Sequence, residues 1–460
     1  MVKTIHAKIW GLSPFVHEKE ALAELTDLTR DLIEIYDQDG RLDENPFTPT
    51  TKRTLSVPQM ELQDMLGGSV CLVTGYGCVG QCLVEKLDAF GIKLIVVVDT
   101  KPAPVDSNLN DNVRYVQGDV SNEQHLESLF ELYRPEFIFH TAAQRDPGWA
   151  ETHVRETVVA NILGTWNLIK TCERYSFVKQ CTFSSTGKAS RYYTEEVYAA
   201  TKKICEYILN TYARGSHVRY SMVRFTHILE NSLMNMGFRD AVDAAYLSVH
   251  SPGKYVTAQN VSEAGDLLLN ALVSSMEGQC RFSLVRHLEW PVESLEVALF
   301  YIKQRGSRIP VIFQGNPKGY CEKFFRGQLD WSDPEDLNLL INVYEYKTRS
   351  VNPEGDIVTS QLSPTDPAVL FAFLRALETS SGEQETREIL LSGLREVTRS
   401  ALREVDPIDT VRILKWGLQP EHLSAQGGSF SDFNAITSLL KETLSGSPLM
   451  EELKNLNYAF

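Results

Sequence analysis

Apolar runs and stretches of helical periodicity alternate along the middle of the chain. Six short runs rich in β-branched or aromatic side chains predict buried strands, at residues 70–73, 93–98, 113–116, 137–139, 178–183 and 220–225. Stretches with apolar positions at helical spacing predict helices between them, at residues 81–90, 122–133, 151–175 and 198–213. This alternation predicts an α/β fold with a parallel, doubly wound (Rossmann) sheet, which binds ligands at the carboxyl ends of its strands.

Helical patterns also precede and follow this alternation. The N-terminal part predicts an amphipathic helix at residues 18–36 and a polar linker at 37–58. Later helices are predicted at residues 240–246, 261–272, 294–304, 369–377, 386–405 and 433–444. The predicted domains are an N-terminal helical extension with its linker (1–66), a two-part body (67–345, with the sheet at 67–226 and a smaller lobe mainly at 227–345) and a C-terminal helical module (346–460). Packing or oligomerisation is the favoured role of that module, ahead of a substrate lid or a partner-binding tail.

Composition narrows the class of protein. A chain of 460 residues with 43% hydrophobic residues can bury a large core, and a formal net charge of −15 disfavours nucleic acid as a partner. The eight cysteines are scattered without a C-x-x-C pair, which favours a reducing compartment. The first residues lack the apolar core of a signal peptide, and no run approaches a membrane span. We therefore expect a cytoplasmic protein.

A glycine motif follows the first predicted strand. Gly75, Gly77 and Gly80 form G-x-G-x-x-G between a strand and a helix, and Asp99 ends the next strand. This is the dinucleotide-binding fingerprint, in which the glycines allow a tight turn, close approach of a pyrophosphate and helix packing, while the acid binds the ribose hydroxyls. A glycine-rich turn without a ligand is the alternative. Asp99 favours NAD over NADP because it would repel a 2′-phosphate, but Lys101 could soften that preference.

Further motifs follow in a fixed order. They are Gly118-Asp119-Val120, His140-Thr-Ala-Ala143, Asn161-Ile-Leu-Gly-Thr165, Ser185-Thr-Gly-Lys-Ala189, Tyr198-Ala-Ala-Thr-Lys202 and a degraded segment at residues 313–323. Together with the glycine motif they make the chain, up to about Phe325, resemble the extended short-chain dehydrogenase/reductases (SDRs). Within these it is most similar to the nucleotide-sugar 4,6-dehydratases and epimerases of polysaccharide biosynthesis.

The resemblance implies a set of site residues. Cofactor contacts are implied for Gly75, Gly77, Cys78, Val79, Gly80, Asp99, Thr100, Lys101, Asp119, Val120, Thr141, Ala142, Ala143, Asn161 and Lys202, and no metal is implied. Within this set Asn161 is expected mainly to brace the helix of Tyr198. His140 is expected to be structural, and the region 227–345 is expected to bind the substrate.

Tyr198 and Lys202 are the predicted proton-transfer pair. Residues four apart lie on one face of a helix, so their polar ends can act together. A free phenol titrates near pH 10, and a neighbouring ammonium favours the phenolate that accepts a proton from a substrate hydroxyl. The resemblance adds Thr186 as a hydrogen-bond partner of the same oxygen, with Ser185 as the less favoured substitute.

The chain departs from the dehydratase pattern at several positions. Gly187 stands where the dehydratases carry an acid that protonates the departing hydroxide. Lys188 could replace it, and so could Glu195 or Glu196. Thr226-His227 replaces an expected asparagine. Lys254 and Lys318 stand where arginines usually bind the diphosphate, and lysine lacks the bidentate fork of arginine.

These observations predict an NAD(P)-dependent enzyme that oxidises a ring hydroxyl of a nucleotide-activated sugar, most simply at C4. The intermediate is then epimerised, dehydrated or released, and the sequence leaves these outcomes open. One alternative is an oxidoreductase for a non-sugar metabolite. Another is a non-catalytic dinucleotide-binding scaffold, which the intact Tyr198 and Lys202 disfavour. A small-molecule substrate and a homo-oligomer are expected.

Overall fold

The computed structural model describes residues 1–104, 109–231, 238, 244–316, 319, 323–425 and 428–449. Its strands are β1 (Val70–Thr74), β2 (Leu94–Asp99), β3 (Val113–Gln117), β4 (Phe137–His140), β5 (Gln180–Thr186), β6 (Arg219–Phe225), β7 (His227–Ile228), β8 (Leu247–Val249), β9 (Tyr255–Val256), β10 (Ala258–Gln259), β11 (Arg281–Val285), β12 (Val292–Glu293), β13 (Val311–Phe313), β14 (Ser350–Val351) and β15 (Ile357–Gln361).

Its helices are α1 (Val2–Leu12), α2 (Lys19–Gln38), α3 (Thr48–Lys52), α4 (Gln59–Leu66), α5 (Cys78–Leu87), α6 (Glu123–Tyr133), α7 (Pro147–Ala150), α8 (Val154–Val158), α9 (Gly164–Arg174), α10 (Val197–Tyr212), α11 (Val261–Val273), α12 (Ser294–Arg305), α13 (Val343–Tyr346), α14 (Pro367–Thr379), α15 (Glu383–Ala401), α16 (Pro407–Gly417), α17 (Pro420–Ala425) and α18 (Asn434–Thr443). A π-helical turn, Val159–Leu163, joins α8 to α9, so the single helix predicted at residues 151–175 is interrupted.

Nine of the described strands form one sheet, in the order β14-β15-β11-β6-β5-β4-β1-β2-β3. The strands from β3 to β11 in this order are parallel. At the far edge, β15 is antiparallel to β11 and β14 is antiparallel to β15. The strand order reverses between β1 and β4, which is where doubly wound sheets bind their ligands. The predicted α/β fold class is therefore confirmed.

The predicted strands are found within a few residues of their expected bounds. The largest difference concerns β5, predicted at residues 178–183 and observed at Gln180–Thr186, because residues 184–186 continue to pair with β6. A second difference is at the C-terminal side. Residues 350–361 were included in the predicted helical module, but they form β14 and β15 and extend the sheet. Strands this short give little periodicity to recognise.

The chain forms two compact units. The larger contains Leu55–Phe225, Gly265–Arg286 and Glu322–Phe460, and therefore holds the nine-stranded sheet together with α14 and α15. The central strands β1, β2 and β4 are almost completely enclosed, as expected for strands that are buried on both faces of a sheet. The C-terminal helices are thus part of the same compact unit as the candidate site.

The smaller unit contains Met1–Thr54, Thr226–Ala264 and His287–Cys321. Its N-terminal helices share one apolar core with β8, β13 and α12. The hydroxyls of Ser13 and Thr29 accept hydrogen bonds from the backbone N–H groups of Phe313 and Val311, both at 2.9 Å. The N-terminal residues, predicted as a separate extension, thus pack with residues of the predicted lobe. The domain boundaries themselves stay a prediction, and residues 240–243 of the helix predicted at 240–246 lie outside the described part of the chain.

Candidate active site

Two glycines of the turn between β1 and α5 are required by the fold itself. Gly75 has φ +86°, and a Cβ added there would lie 2.6 Å from the backbone nitrogen of Ala142. A Cβ at Gly80 would lie 2.1 Å from the carbonyl oxygen of Gly75. Gly75 therefore allows the turn to pass beside β4, and Gly80 allows α5 to pack against that turn.

Gly77 differs, because no described part of the chain requires a glycine there. It precedes the first residue of α5, has an ordinary φ of −73°, and a Cβ added to it would meet no atom of the described residues within 4 Å. Cys78 and Val79 follow in the first turn of the helix, where backbone N–H groups and the helix dipole favour an anion. The open space beside Gly77 fits a backbone that approaches a pyrophosphate, which is the role predicted for it.

Asp99 is held by the glycine turn itself. Its carboxylate accepts hydrogen bonds from the backbone N–H groups of Tyr76, at 2.7 Å, and of Lys101, at 2.9 Å. Thr100 and Lys101 are exposed. A carboxylate has about four acceptor positions, so Asp99 keeps capacity for ribose hydroxyls. The oriented carboxylate at the end of β2 therefore also fits a bound dinucleotide.

Tyr115 is a neighbour of this carboxylate that the sequence did not reveal. Its ring meets that of Tyr76 edge to face, with centroids 5.5 Å apart. Its hydroxyl donates to the carbonyl oxygen of Lys101 at 2.9 Å, and burial followed by the nearby Asp99 raises its pKa. The two rings thus line the approach to Asp99. They lie far apart in sequence, so no local motif joins them.

The remaining predicted cofactor contacts lie at the ends of β3 and β4. Asp119 is exposed and accepts a hydrogen bond from Ser121 N–H at 2.8 Å, and Val120 beside it is buried. Thr141 binds the carbonyl oxygen of Thr74 through its N–H, at 2.9 Å, and through its hydroxyl, at 2.8 Å. Ala142 and Ala143 follow it, half-buried. Since β3, β2, β1 and β4 are neighbours, the predicted cofactor residues lie along one edge of the sheet. Their contacts with a cofactor stay a prediction.

Asn161 and His140 are both engaged within the chain. Asn161 accepts from the N–H of Gln144 at 2.8 Å and donates to its carbonyl oxygen and to the Thr201 hydroxyl, both at 3.0 Å. His140 is buried between the hydroxyls of Thr74 and Thr165, at 2.6 and 2.8 Å. Burial, reinforced by the charge of Lys202, lowers the pKa of His140 to about 3. Asn161 is therefore hydrogen-bonded to α10, which fits the bracing role predicted for it. His140 is enclosed between two hydroxyls of the chain, which fits a structural role.

Tyr198 and Lys202 lie on consecutive turns of α10. Tyr198 is half-buried, whereas Lys202 is buried and its Nζ lies 4.1 Å from the centroid of the Phe183 ring on β5. Burial lowers the pKa of Lys202 to about 8, although Cys205 and Glu206 oppose this shift. The helix spacing brings the two predicted groups to one face, beside the end of β5. Their roles stay a prediction.

At the end of β5 the neighbouring hydroxyls of Ser185 and Thr186 have different surroundings. The Ser185 hydroxyl donates to Glu206 Oε1 at 2.6 Å, within the chain. Thr186 is half-buried, and from the described residues its hydroxyl receives only a long hydrogen bond, 3.4 Å, from Lys188 N–H. Successive residues of a strand point to opposite faces, which explains the difference. This supports Thr186 over Ser185 as the substrate-facing hydroxyl.

A buried ion network below this site was not predicted. Arg224 is completely enclosed and pairs with both Glu206 and Glu345, at 2.7 Å each. It also donates to the carbonyl oxygen of Leu340 at 2.9 Å. Removing one partner of a buried ion pair strongly destabilises the folded protein, because the other charge is left buried and unpaired. The network therefore fixes residues 340–345 beneath the ends of β5 and β6.

The positions around Gly187 depart from the dehydratase pattern in structure as well. A Cβ added at Gly187 would lie 2.0 Å from Leu340 Cδ2. Lys188 is paired with Glu196, whose other carboxylate oxygen binds Arg191 at 3.0 Å. Glu195 is exposed. Two of the three proposed substitutes for the missing acid, Lys188 and Glu196, are therefore partners of each other.

Two of the predicted substrate positions, Thr226 and Lys254, lie in the smaller unit. The N–H of Thr226 donates to Gln259 Oε1 at 2.8 Å, and its hydroxyl donates to the carbonyl oxygen of Thr257 at 2.7 Å. Lys254 is exposed. Lys318 and much of the degraded motif at residues 313–323 lie outside the described residues. The predicted diphosphate contacts stay a prediction.

Comparisons with known proteins concern the family that the chain resembles. Residues 71–237 match the family model described as NAD dependent epimerase/dehydratase family. The chain is 23% identical over 294 residues to a probable polysaccharide biosynthesis protein, EpsC, of Bacillus subtilis, with 61% of this chain and 48% of that protein covered. It is 27% identical over 216 residues to a dTDP-glucose 4,6-dehydratase of Neisseria meningitidis serogroup B, with 44% and 58% covered.

Solved structures show the same fold. The X-ray structure of Pen from Bacillus thuringiensis aligns with a TM-score of 0.53 at 20% identity, over 64% of this chain and 88% of that one. The family match confirms the predicted resemblance, and its description names NAD, the favoured cofactor. The chain spans about half the length of the curated relatives it matches. Among the described residues, no helix combines the length and the apolar character that crossing a bilayer requires.

Proposed function

We propose that this chain, whose residues 71–237 match the model of the NAD dependent epimerase/dehydratase family, oxidises a ring hydroxyl of a nucleotide-activated sugar. The observation that carries the proposal is the placement of Tyr198 and Lys202 on one face of α10. Lys202 is buried against Phe183 of β5, and the glycine turn begins at the end of β1 in the same sheet. An activated phenol beside a dinucleotide turn suits the oxidation of an alcohol.

Each group has a defined task in this proposal. The glycine turn and Asp99 hold the dinucleotide, which supplies a hydride acceptor when bound. Tyr198 takes the proton of the substrate hydroxyl as the C–H bond is broken, so the carbon becomes a carbonyl. The ammonium of Lys202 favours the phenolate form of Tyr198, because an opposite charge nearby stabilises the ionised group. The Thr186 hydroxyl donates a hydrogen bond to the reacting oxygen.

A nucleotide sugar is the favoured substrate class. The names of the relatives support it, since one is a polysaccharide biosynthesis protein and another acts on dTDP-glucose. Loss of water is the least favoured outcome, because Gly187 carries no acid and Leu340 fills the space beside it. Epimerisation, in which the hydride returns to the opposite face, or release of a ketone is therefore preferred.

A non-sugar alcohol is the second candidate. Thr226 favours it, because its N–H and hydroxyl are both bonded within the chain, where the resemblance expects an asparagine that helps to bind a nucleotide diphosphate. Thermal shift separates the two candidates. A nucleoside diphosphate that raises the melting temperature supports the sugar, and one without effect beside an effective dinucleotide supports the alternative.

Incubation with a panel of nucleotide sugars, with NAD or NADP, tests the proposed reaction. Mass spectrometry distinguishes a product that has lost one water from one that has lost two hydrogens, and chromatography detects an epimer of unchanged mass. The proposal expects an epimer or a ketone. Turnover of no nucleotide sugar by a chain that binds NAD would contradict it.

A further inference from the structure

The helix that carries Tyr198 is capped by a residue from outside it. Helix α10 begins at Val197, and the preceding Glu196 provides no side-chain cap because its carboxylate is paired with Lys188 and Arg191. The N–H of Val197 donates instead to Glu151 Oε1, at 2.8 Å. A carboxylate at a helix N-terminus satisfies an otherwise unpaired N–H and interacts favourably with the helix dipole.

The second oxygen of Glu151 is held by the C-terminal part of the chain. Arg387 on α15 pairs with Glu151 Oε2 through Nη2, at 2.7 Å, and the Glu151 side chain is only 6% exposed. The same Nη2 lies 3.4 Å from the carbonyl oxygen of Glu195. One guanidinium thus reaches both the cap of α10 and the segment that leads into it.

Helix α15 is itself anchored close to this point. Arg155 donates through Nη1 to the carbonyl oxygen of Leu377, at 2.6 Å, and to the Ser380 hydroxyl, at 3.1 Å. Its backbone N–H donates to Glu383 Oε2 at 3.1 Å. These contacts attach the corner between α14 and α15 to the start of α8. Arg387 therefore reaches Glu151 from a helix whose N-terminal end is fixed by hydrogen bonds to Arg155.

We propose that Glu151 and Arg387 are positioning residues for Tyr198, which makes the C-terminal helices part of the catalytic apparatus. Tyr198 directly follows the capped residue, so freedom at the start of α10 moves the phenol relative to its substrate. A displacement of about 1 Å in a reacting group can lower the rate about 100-fold. The effect on turnover rests on the proposed function, whereas the effect on the helix start does not.

Four variants of the full chain test this assignment. Glu151→Leu removes the cap, Arg387→Met removes its partner, and Glu151→Gln keeps an oxygen for the Val197 N–H. Arg395→Met is the matched control, since Arg395 lies on the same helix, is 28% exposed against 29% for Arg387, and pairs with Glu442 of α18. Glu151→Gln and Arg387→Met keep the test valid if Glu151→Leu fails to fold.

Amide hydrogen exchange in the first turn of α10 is the readout that needs no substrate. We expect at least about ten-fold faster exchange in Glu151→Leu, which removes the acceptor of the Val197 N–H, and in Arg387→Met, which frees the side chain that carries this acceptor. Glu151→Gln keeps an oxygen for this N–H but loses the ion pair, so its exchange should be slower than that of Glu151→Leu, and Arg395→Met should exchange at a rate near that of the wild type. Unchanged exchange in both Glu151→Leu and Arg387→Met would overturn the assignment. So would equally fast exchange in Arg395→Met, which would indicate a general loosening.

Kinetics supply the second readout. In the same two variants kcat should fall about 10- to 100-fold while the Kd for NAD stays within about two-fold, because the glycine turn and Asp99 are untouched. Loss of NAD affinity in proportion to kcat would overturn the positioning role. Absence of turnover in the wild-type chain would count against the proposed function alone, since the exchange result stands without a substrate.

Discussion

Leu340 occupies the place that a side chain at Gly187 would need: a Cβ built at Gly187 lies 2.0 Å from Leu340 Cδ2. The dehydratases that the chain resembles carry an acid at this position. Here the position is filled from a segment far along the chain, which Arg224 holds through the Leu340 carbonyl oxygen and Glu345. The packing of Leu340 therefore leaves no room for an acidic side chain at position 187.

We expect Gly187→Ala to destabilise the protein without adding a dehydratase activity. Overpacking of this kind costs about 1–3 kcal/mol of the free energy of unfolding, which denaturant titration measures. In the double variant with Leu340→Ala the added methyl group has room, so the loss should be smaller than the sum of the two single losses. Additive losses would show that the two side chains do not compete for this space.

Gly77→Ala and Gly75→Ala form a matched pair of substitutions in the glycine turn. Gly75→Ala should lower the free energy of unfolding by at least about 2 kcal/mol, because a left-handed residue with a Cβ is strained and this Cβ also meets Ala142. Gly77→Ala should change it by less than about 1 kcal/mol. Its Kd for NAD should nevertheless rise about ten-fold, since the methyl group enters the space expected for the pyrophosphate. Calorimetric titration and denaturant unfolding measure both quantities.

Equal NAD affinity of Gly77→Ala and the wild type would contradict the assignment of this turn to a pyrophosphate. A loss of affinity that appears only in Gly75→Ala, together with its loss of stability, would point to a turn that matters for folding alone.

The strands and the glycine turn could be predicted because their signals are local. Each strand is a short apolar run, and Gly75 to Asp99 is a continuous motif. The resemblance already favoured Thr186 over Ser185, but the physical reason needed the structure, in which the Ser185 hydroxyl is bonded to Glu206 within the chain. The pairs Leu340–Gly187 and Arg387–Glu151 join segments far apart in sequence, and a single sequence carries no sign of such contacts.

The pH dependence of the reaction should report the charge of Lys202. Burial lowers the pKa of this ammonium to about 8, so it is charged below that pH and neutral above it. Activity should therefore fall as the pH rises through about 8, because the neutral amine no longer favours the phenolate of Tyr198. Initial rates measured between about pH 6 and pH 10 show this fall in activity.

Lys202→Met tests whether the fall in activity above about pH 8 comes from the titration of Lys202. It should be at least about 100-fold slower at neutral pH and should lack the alkaline fall centred near pH 8. An unchanged fall in activity in this variant would assign the titration to another group.

The most direct test of the central claim compares the wild type with Tyr198→Phe in a single turnover with bound NAD and a nucleotide sugar that the panel identifies. The account predicts that Tyr198→Phe binds NAD normally but forms the oxidised sugar about 100- to 10,000-fold more slowly, because only the phenolic oxygen that accepts the proton has been removed. Product formation at the wild-type rate would contradict the account and would favour a dinucleotide-binding scaffold or a different base.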